Sequence, residues 1–264
     1  MTKSIYAEDP KIVLESSDTV FIKQFIELSE ILTQYETPNR YNVYSKNSKE
    51  HNYTMLFTAK EMSSYYERFL CSGETRPFEI NLVHIKDKKS FNTDYKSNLF
   101  AVFKKGYTIS SCCCCCRPKL EGMYDHNQGL YFGGVSFPFD MYSPVYQIND
   151  KNGKVVYSIS TSCYQRGVFY GNCCDCFEPV RFLIFKGDNY DTNNIDIAVG
   201  SIIKYGMGFK TIISDQDNLE IVFPKESTLE EKMSLIGAAL LIDCMLFEEY
   251  ANDMKGWNWF KYKL

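Results

Sequence analysis

The chain has 264 residues, a formal net charge of −4, 45% apolar and 23% charged residues, which excludes a disordered chain and leaves ample length for a sizeable core. The acidic balance gives no overall basic footprint, so a nucleic-acid partner is not expected. Read along the line of the sequence, there is also no polybasic run for acidic lipids: the densest stretches are 86–89, interrupted by Asp87, and Lys104 with Lys105.

Aromatic residues make up 16% of the chain, mainly Tyr and Phe, which favours β structure with large buried side chains. Residues 1–11 carry no apolar core, and Thr2 stands where N-myristoylation needs glycine, so neither a signal peptide nor a myristoyl anchor is expected. Residues 1–36 read as an N-terminal segment. Within it Phe21, Phe25, Leu28, Leu32 and Tyr35 recur at helical spacing and predict a short amphipathic helix over part of 18–36, with a strand open for part of it. Thr37, Pro38 and Asn39 form a break.

Residues 37–250 read as one domain made of two similar halves. Residues 41–44 and 53–58 predict a hairpin, and 144–149 with 155–159 predict another around the turn Asp150, Lys151, Asn152, Gly153. Each hairpin precedes an apolar strand, RPFEINLVHIKD from Arg76 and EPVRFLIFKGD from Glu178. A further strand follows in each half, at 99–103 and at 196–204 with a bend at Gly200. This reads as an internal duplication of β units.

The 11 cysteines lie at 71, 112–116, 163, 173, 174, 176 and 244. An odd, clumped set without a secretion signal reads as reduced cytosolic thiols. Cys112, Cys113, Cys114, Cys115 and Cys116 are consecutive. In an extended segment their side chains alternate sides, so they form neither a single zinc site nor a simple disulfide framework. They do offer adjacent attachment points for fatty acyl thioesters, and two or more acyl chains hold a protein on a bilayer far more firmly than one. Cys173, Cys174 and Cys176 form a second, sparser group.

Residues 215–226 span twelve positions, with Asp215, Asp217 and Glu226 at positions one, three and twelve of an EF-hand-like loop. Leu219, Ile221 and Phe223 could contribute backbone carbonyls alone, so any Ca²⁺ held there is expected to bind weakly. The same residues alternate with Glu220 and Val222, and a turn entering a strand is the competing reading.

Residues 235–247 (LIGAALLIDCMLF) are apolar almost all round, include Asp243, and are closed by Glu248 and Glu249. The run spans roughly 20 Å of helix against roughly 30 Å of bilayer hydrocarbon, which predicts a core helix rather than a span. Such a helix, at about 230–250, must be surrounded on every side. With Leu235, Ile236, Leu240, Asp243 and Phe247 on it, it predicts a mainly β fold: a closed antiparallel barrel with a central hydrophobic C-terminal α-helix. Residues 251–264, with Trp257, Trp259, Phe260 and Tyr262, form an aromatic tail that suits either a membrane interface or the barrel surface. His51, His84 and His126 lie in unrelated contexts, and no catalytic constellation is evident, so an enzyme in the covalent sense is not expected.

Several of these stretches, in this order, resemble the phospholipid scramblase family. They are YETPNRYNVYSK at Tyr35, RPFEI at Arg76, the run Cys112 to Cys116, the group Cys173, Cys174 and Cys176, and the acidic stretch Asp215-Gln216-Asp217-Asn218 followed by Ile221, Phe223 and Pro224. Gly237-Ala238, Leu241-Ile242-Asp243 and the residues from Met245 complete the series. The resemblance implies the tubby-like fold, a barrel of about twelve strands around a helix. It also implies calcium-stimulated, ATP-independent, bidirectional movement of phospholipids between leaflets by an acyl-anchored protein. Membrane phospholipids are the implied partner, and the cytosolic face of the plasma membrane the implied place. A homo-oligomer is compatible with the sequence. The chain departs from the family in having no proline-rich amino-terminal extension, an uninterrupted cysteine run, and in 200–209, where some relatives carry a nuclear address, a single basic residue, Lys204. A lipid- or protein-binding membrane adaptor with the same barrel is the alternative.

Overall fold

The computed structural model describes residues 6–25, 38–46, 53–64, 75–86, 98–108, 117–124, 129–138, 144–161, 179–191, 195–205 and 218–247. Twelve strands run in chain order: β1 (Thr19–Phe25), β2 (Arg40–Lys46), β3 (Tyr53–Met62), β4 (Phe78–His84), β5 (Leu99–Lys105), β6 (Lys119–Tyr124), β7 (Leu130–Ser136), β8 (Val145–Asp150), β9 (Val155–Ser160), β10 (Val180–Lys186), β11 (Gly200–Lys204) and β12 (Asn218–Val222). Each pairs antiparallel with its neighbours in sequence, and β1 pairs with both β2 and β12, which closes the barrel. Closure removes the exposed sheet edges that an open sheet would leave.

Among the described residues two α-helices join the strands: α1 (Pro10–Ser16) and α2 (Leu229–Ile242). At the start of α1, Asp9 accepts a hydrogen bond from the Lys11 amide at 2.9 Å and Pro10 opens the first turn, a favourable pair because proline has no amide proton to orphan there. At the start of α2, Thr228 and Glu231 form a reciprocal capping box: the Glu231 amide donates to Thr228 Oγ1 at 3.3 Å, and the Thr228 amide to Glu231 Oε2 at 2.9 Å. The helix continues through a π-type turn, Asp243–Phe247.

Every residue of α2 from Lys232 to Ile242 is buried. Its neighbours come from all round the ring: Phe103 of β5 against Gly237, Ser234 beside Gly133 of β7, Glu231 accepting from Tyr157 of β9, and Asp243 held by β2 and β11. Leu235, Ile236 and Leu240 have no solvent exposure. The strands turn alternate side chains onto the helix, among them Val20, Ile22, Ile80, Leu82, Ile184 and Ile221, all fully buried. Each such side chain contributes about 1.5–3 kcal/mol on leaving water. The central helix is the expected plug.

Both predicted hairpins are present, as β2–β3 and β8–β9. In the second, Gly153 adopts φ +80°, and Asp150 Oδ1 accepts from the amides of Asn152 and Lys154. The paired halves stand six positions apart in the ring of twelve, β2 to β5 against β8 to β11.

The structure corrects the reading of 18–36. Residues Thr19–Phe25 are strand, not helix. The residues it buries are Val20 and Ile22, at period two, while Phe21 is half-exposed and meets Tyr53 edge-on on the outside. Residues 26–37 lie outside the described residues. The stretch 196–204 is also shorter as a strand than expected, because Ile195–Ile197 form a 3₁₀ turn before β11.

A β-carbon at Gly237 would stand 2.7 Å from the Phe103 ring. Gly237→Val is therefore expected to lower unfolding stability by about 1–3 kcal/mol through overpacking. Part of the loss should return in Gly237→Val/Phe103→Leu, measured by urea unfolding.

Candidate functional site

In an antiparallel ring, alternate connections emerge at the same end. The connections 63–77, 106–118, 161–179 and 205–217 all leave the end at which α2 terminates. They hold every cysteine except Cys244, and also Asp215 and Asp217. Cys112 to Cys116, Cys173, Cys174, Cys176, Asp215 and Asp217 themselves lie outside the described residues, as does the tail 251–264. Cys244 is a buried cysteine in the core near the same end, its Sγ 4.0 Å from Tyr41 Oη.

The other members of the twelve-residue acidic stretch are placed. Leu219, Ile221 and Phe223 are buried, with exposures of 1%, 0% and 4%, and turn into the barrel. Leu219 and Ile221 lie in β12, which is hydrogen-bonded on both sides, and the Phe223 amide donates to the Asp18 carbonyl at 2.9 Å. Carbonyls within a strand point along the sheet toward a neighbouring strand, not toward a common cation. From Asn218 onward the residues take the competing reading, a strand. Glu226 is exposed beyond the strand and lies 3.5 Å from Lys186. Among the described residues, no group of three or more His, Cys, Asp or Glu side chains is placed to hold a metal ion.

The central helix brings one charged group into the core. Asp243 Oδ1 accepts from Lys204 Nζ at 2.6 Å, and its Oδ2 accepts from Tyr41 Oη at 3.0 Å. Both charged side chains are almost fully buried. Lys204 Nζ also lies 5.4 Å above the Phe247 ring. An Asp inside an apolar run calls for a partner, so the sequence signalled the need; the identity of Lys204 required the fold, because 39 positions separate the two.

At the opposite end, Lys232 Nζ reaches the carbonyls of Leu14, Glu15 and Ser17 at 2.7–3.2 Å. These are the last turn and cap of α1, where a cation complements the helix dipole. Burial pushes the Lys232 ammonium below its ordinary pKa, partly opposed by Asp18 and Glu15. Nearer the cysteine-bearing end, Tyr205 hydrogen-bonds Glu220, and its phenol is pushed up to about 12, first by burial and then by that carboxylate. His84 hydrogen-bonds the Ala7 carbonyl at 2.8 Å, a structural contact.

With this geometry in place, comparison with known proteins is decisive: residues 1–249 match the family described as Scramblase. The chain belongs to the Scramblase family. Its curated relatives include human phospholipid scramblase 1, 29% identical over 89% of this chain and 64% of the relative, and human phospholipid scramblase 2, 29% identical over 89% and 69%. Human phospholipid scramblase family member 5 is 27% identical over 89% of this chain and 76% of the relative. This scramblase-family chain thus spans less than two thirds, 64%, of the length of the first of these relatives. No solved structure matches it. Among its described residues, no helix is long and apolar enough to cross a membrane.

Asp243→Ala removes the carboxylate that neutralises the buried Lys204 ammonium and is expected to cost about 3–5 kcal/mol. Lys204→Met/Asp243→Leu removes both charges and should recover most of that loss, read from urea midpoints of the two variants.

Proposed function

We propose that this protein moves phospholipids between the two leaflets of a membrane, without ATP and without covalent chemistry. The observation that carries the reading is the family match over residues 1–249, joined by relatives named phospholipid scramblases. Uncatalysed exchange is slow because a charged headgroup must leave water to cross the hydrocarbon. A protein that thins or hydrates the bilayer locally lowers that cost.

The finer proposal is an acyl-anchored protein on the cytosolic face of the plasma membrane, stimulated weakly by Ca²⁺. The thiol run Cys112 to Cys116 supplies the attachment points, and Asp215 and Asp217 are the carboxylates that calcium would engage; Glu226 stands past the opposite end of β12, beside Lys186, too far to share one ion with them. Each buried acyl methylene contributes about 0.8 kcal/mol, so two chains suffice for stable attachment. A second reading is favoured by one observation: α2 fills the barrel, so the lumen offers no passage for lipid. On that reading the barrel is a membrane adaptor.

Full-length protein reconstituted into liposomes with a fluorescent phospholipid separates the two readings. Scrambling predicts leaflet exchange that rises with protein density and with Ca²⁺ and ignores ATP. Stable binding with no exchange at any density leaves the adaptor. For the anchor, replacing Cys112, Cys113, Cys114, Cys115 and Cys116 by Ala is expected to abolish most thioester-linked acyl label in cells and shift the protein to the soluble fraction. Retention on membranes would place the anchor elsewhere.

A further inference from the structure

At the barrel end from which the thiol-bearing connection leaves, the structure contains an open cleft of about 560 Å³. Its lining includes four cations, Lys104, Lys105, Arg117 and Lys119, and two carboxylates, Glu79 and Glu121. The linear sequence hides this patch, because 11 residues separate Lys105 from Arg117. The β5–β6 ladder joins the two pairs: Lys104 stands opposite Glu121 and Lys105 opposite Leu120, next to Lys119. From Lys104 to Lys119 the chain carries no carboxylate at all.

The cations divide the work. Lys105 is buried; its Nζ donates to the Arg76 carbonyl at 2.8 Å and lies over the Phe78 ring, which fixes the wall. The Arg76 guanidinium is itself held by buried Glu61 at 3.2 Å. Arg117 stacks on Phe137 and donates to the carbonyls of Phe137 and Pro138. Lys104 and Lys119 face outward, Lys104 at 3.3 Å from a partly exposed Glu79. Beside these charges stand two exposed apolar side chains, Tyr107 at 64% and Met62 at 47%. An aromatic and a thioether next to outward lysines match the boundary between lipid headgroups and acyl chains, where amphipathic rings settle and cations gain from an anionic leaflet.

We infer that this cleft is a docking surface for an anionic bilayer, which seats the barrel with its β5–β6 end against the headgroups. The inference deepens the proposed membrane function by naming the surface and the lipid charge it favours. It is independent of acylation, because the lysines act without the thioesters. The two attachments reinforce each other, since residues on both sides of the thiol run line the same cleft.

The test uses the full chain produced without acyl groups, sedimented with vesicles of phosphatidylcholine alone or with phosphatidylserine added. Binding is expected to favour the phosphatidylserine vesicles and to weaken with salt. Each cation near such a surface is worth about fivefold in partition. Lys104→Glu/Lys119→Glu should therefore lower binding by at least about tenfold, and the milder Lys119→Gln by about fivefold. The control Lys151→Glu/Lys154→Glu, in the exposed β8–β9 turn at the other end, should bind as the parent does. Unfolding midpoints confirm that each variant is folded. Equal binding to both vesicle types, binding to neither, or equal loss in the control overturns the inference. Failure of lipid exchange or of acylation moves none of these readouts.

Discussion

An α-helix that is apolar on every face cannot lie on a protein surface, because any exposed stripe would leave large side chains in water. In a soluble setting it must be wrapped, and a closed sheet can wrap it without leaving an edge. That constraint governs this molecule. Lys232 to Ile242 are buried without a break, and the strands that surround them turn Val20, Ile22, Ile80 and Ile184 inward to meet them. Small residues set how closely the wall approaches: Gly237 admits the Phe103 ring, and Gly133 admits Ser234. The polar ends of the helix are tied in rather than left to water. Lys232 caps α1 at one end, and Asp243 takes Lys204 and Tyr41 at the other.

The filled interior also decides where membrane chemistry can act. A barrel that crosses a bilayer turns apolar side chains outward and polar ones into its lumen. Here the order is reversed: the lumen is apolar, while Lys119, Glu121 and Arg181 are exposed on the outer face of their strands. Lipid contact, as proposed, would therefore fall on the outside and the ends of the barrel rather than in its lumen. The end at which α2 terminates is set apart, because the connections carrying ten of the 11 cysteines emerge there. The opposite end is covered by α1, whose last turn Lys232 pins to the helix.

Much of this was legible without coordinates, for reasons that can be named. The helix declared itself because thirteen residues from Leu235 are interrupted by one charge, too short to span and too greasy to expose. The β8–β9 hairpin declared itself because Asp-Lys-Asn-Gly supplies both an aspartate to cap the turn and a glycine for positive φ. β1 misled, because Phe21 and Phe25 share a face in a helix and in a strand alike; the period-two pair Val20 and Ile22 carried the answer. β6 left little trace, since one of its inward positions is Gly122, which gives its space to the Phe132 ring. At the candidate site the thiols, Asp215 and Asp217 lie outside the described residues, and the sequence could not show that Leu219, Ile221 and Phe223 serve the core.

The basic cleft shows most clearly what a linear reading loses. Charge density counted along the chain sees two lysines, then eleven uncharged residues, then Arg117 and Lys119. Electrostatic attraction to a surface depends instead on which charges fall within a Debye length of it, about 8–10 Å. Strands in a ladder lie about 4.8 Å apart, so a hairpin whose two feet carry cations concentrates them as a contiguous basic run would. The connection between the feet adds no charge of its own to that concentration. If the proposed docking holds, the five consecutive cysteines, bracketed in sequence by these cations, are carried toward the same surface that the lysines meet.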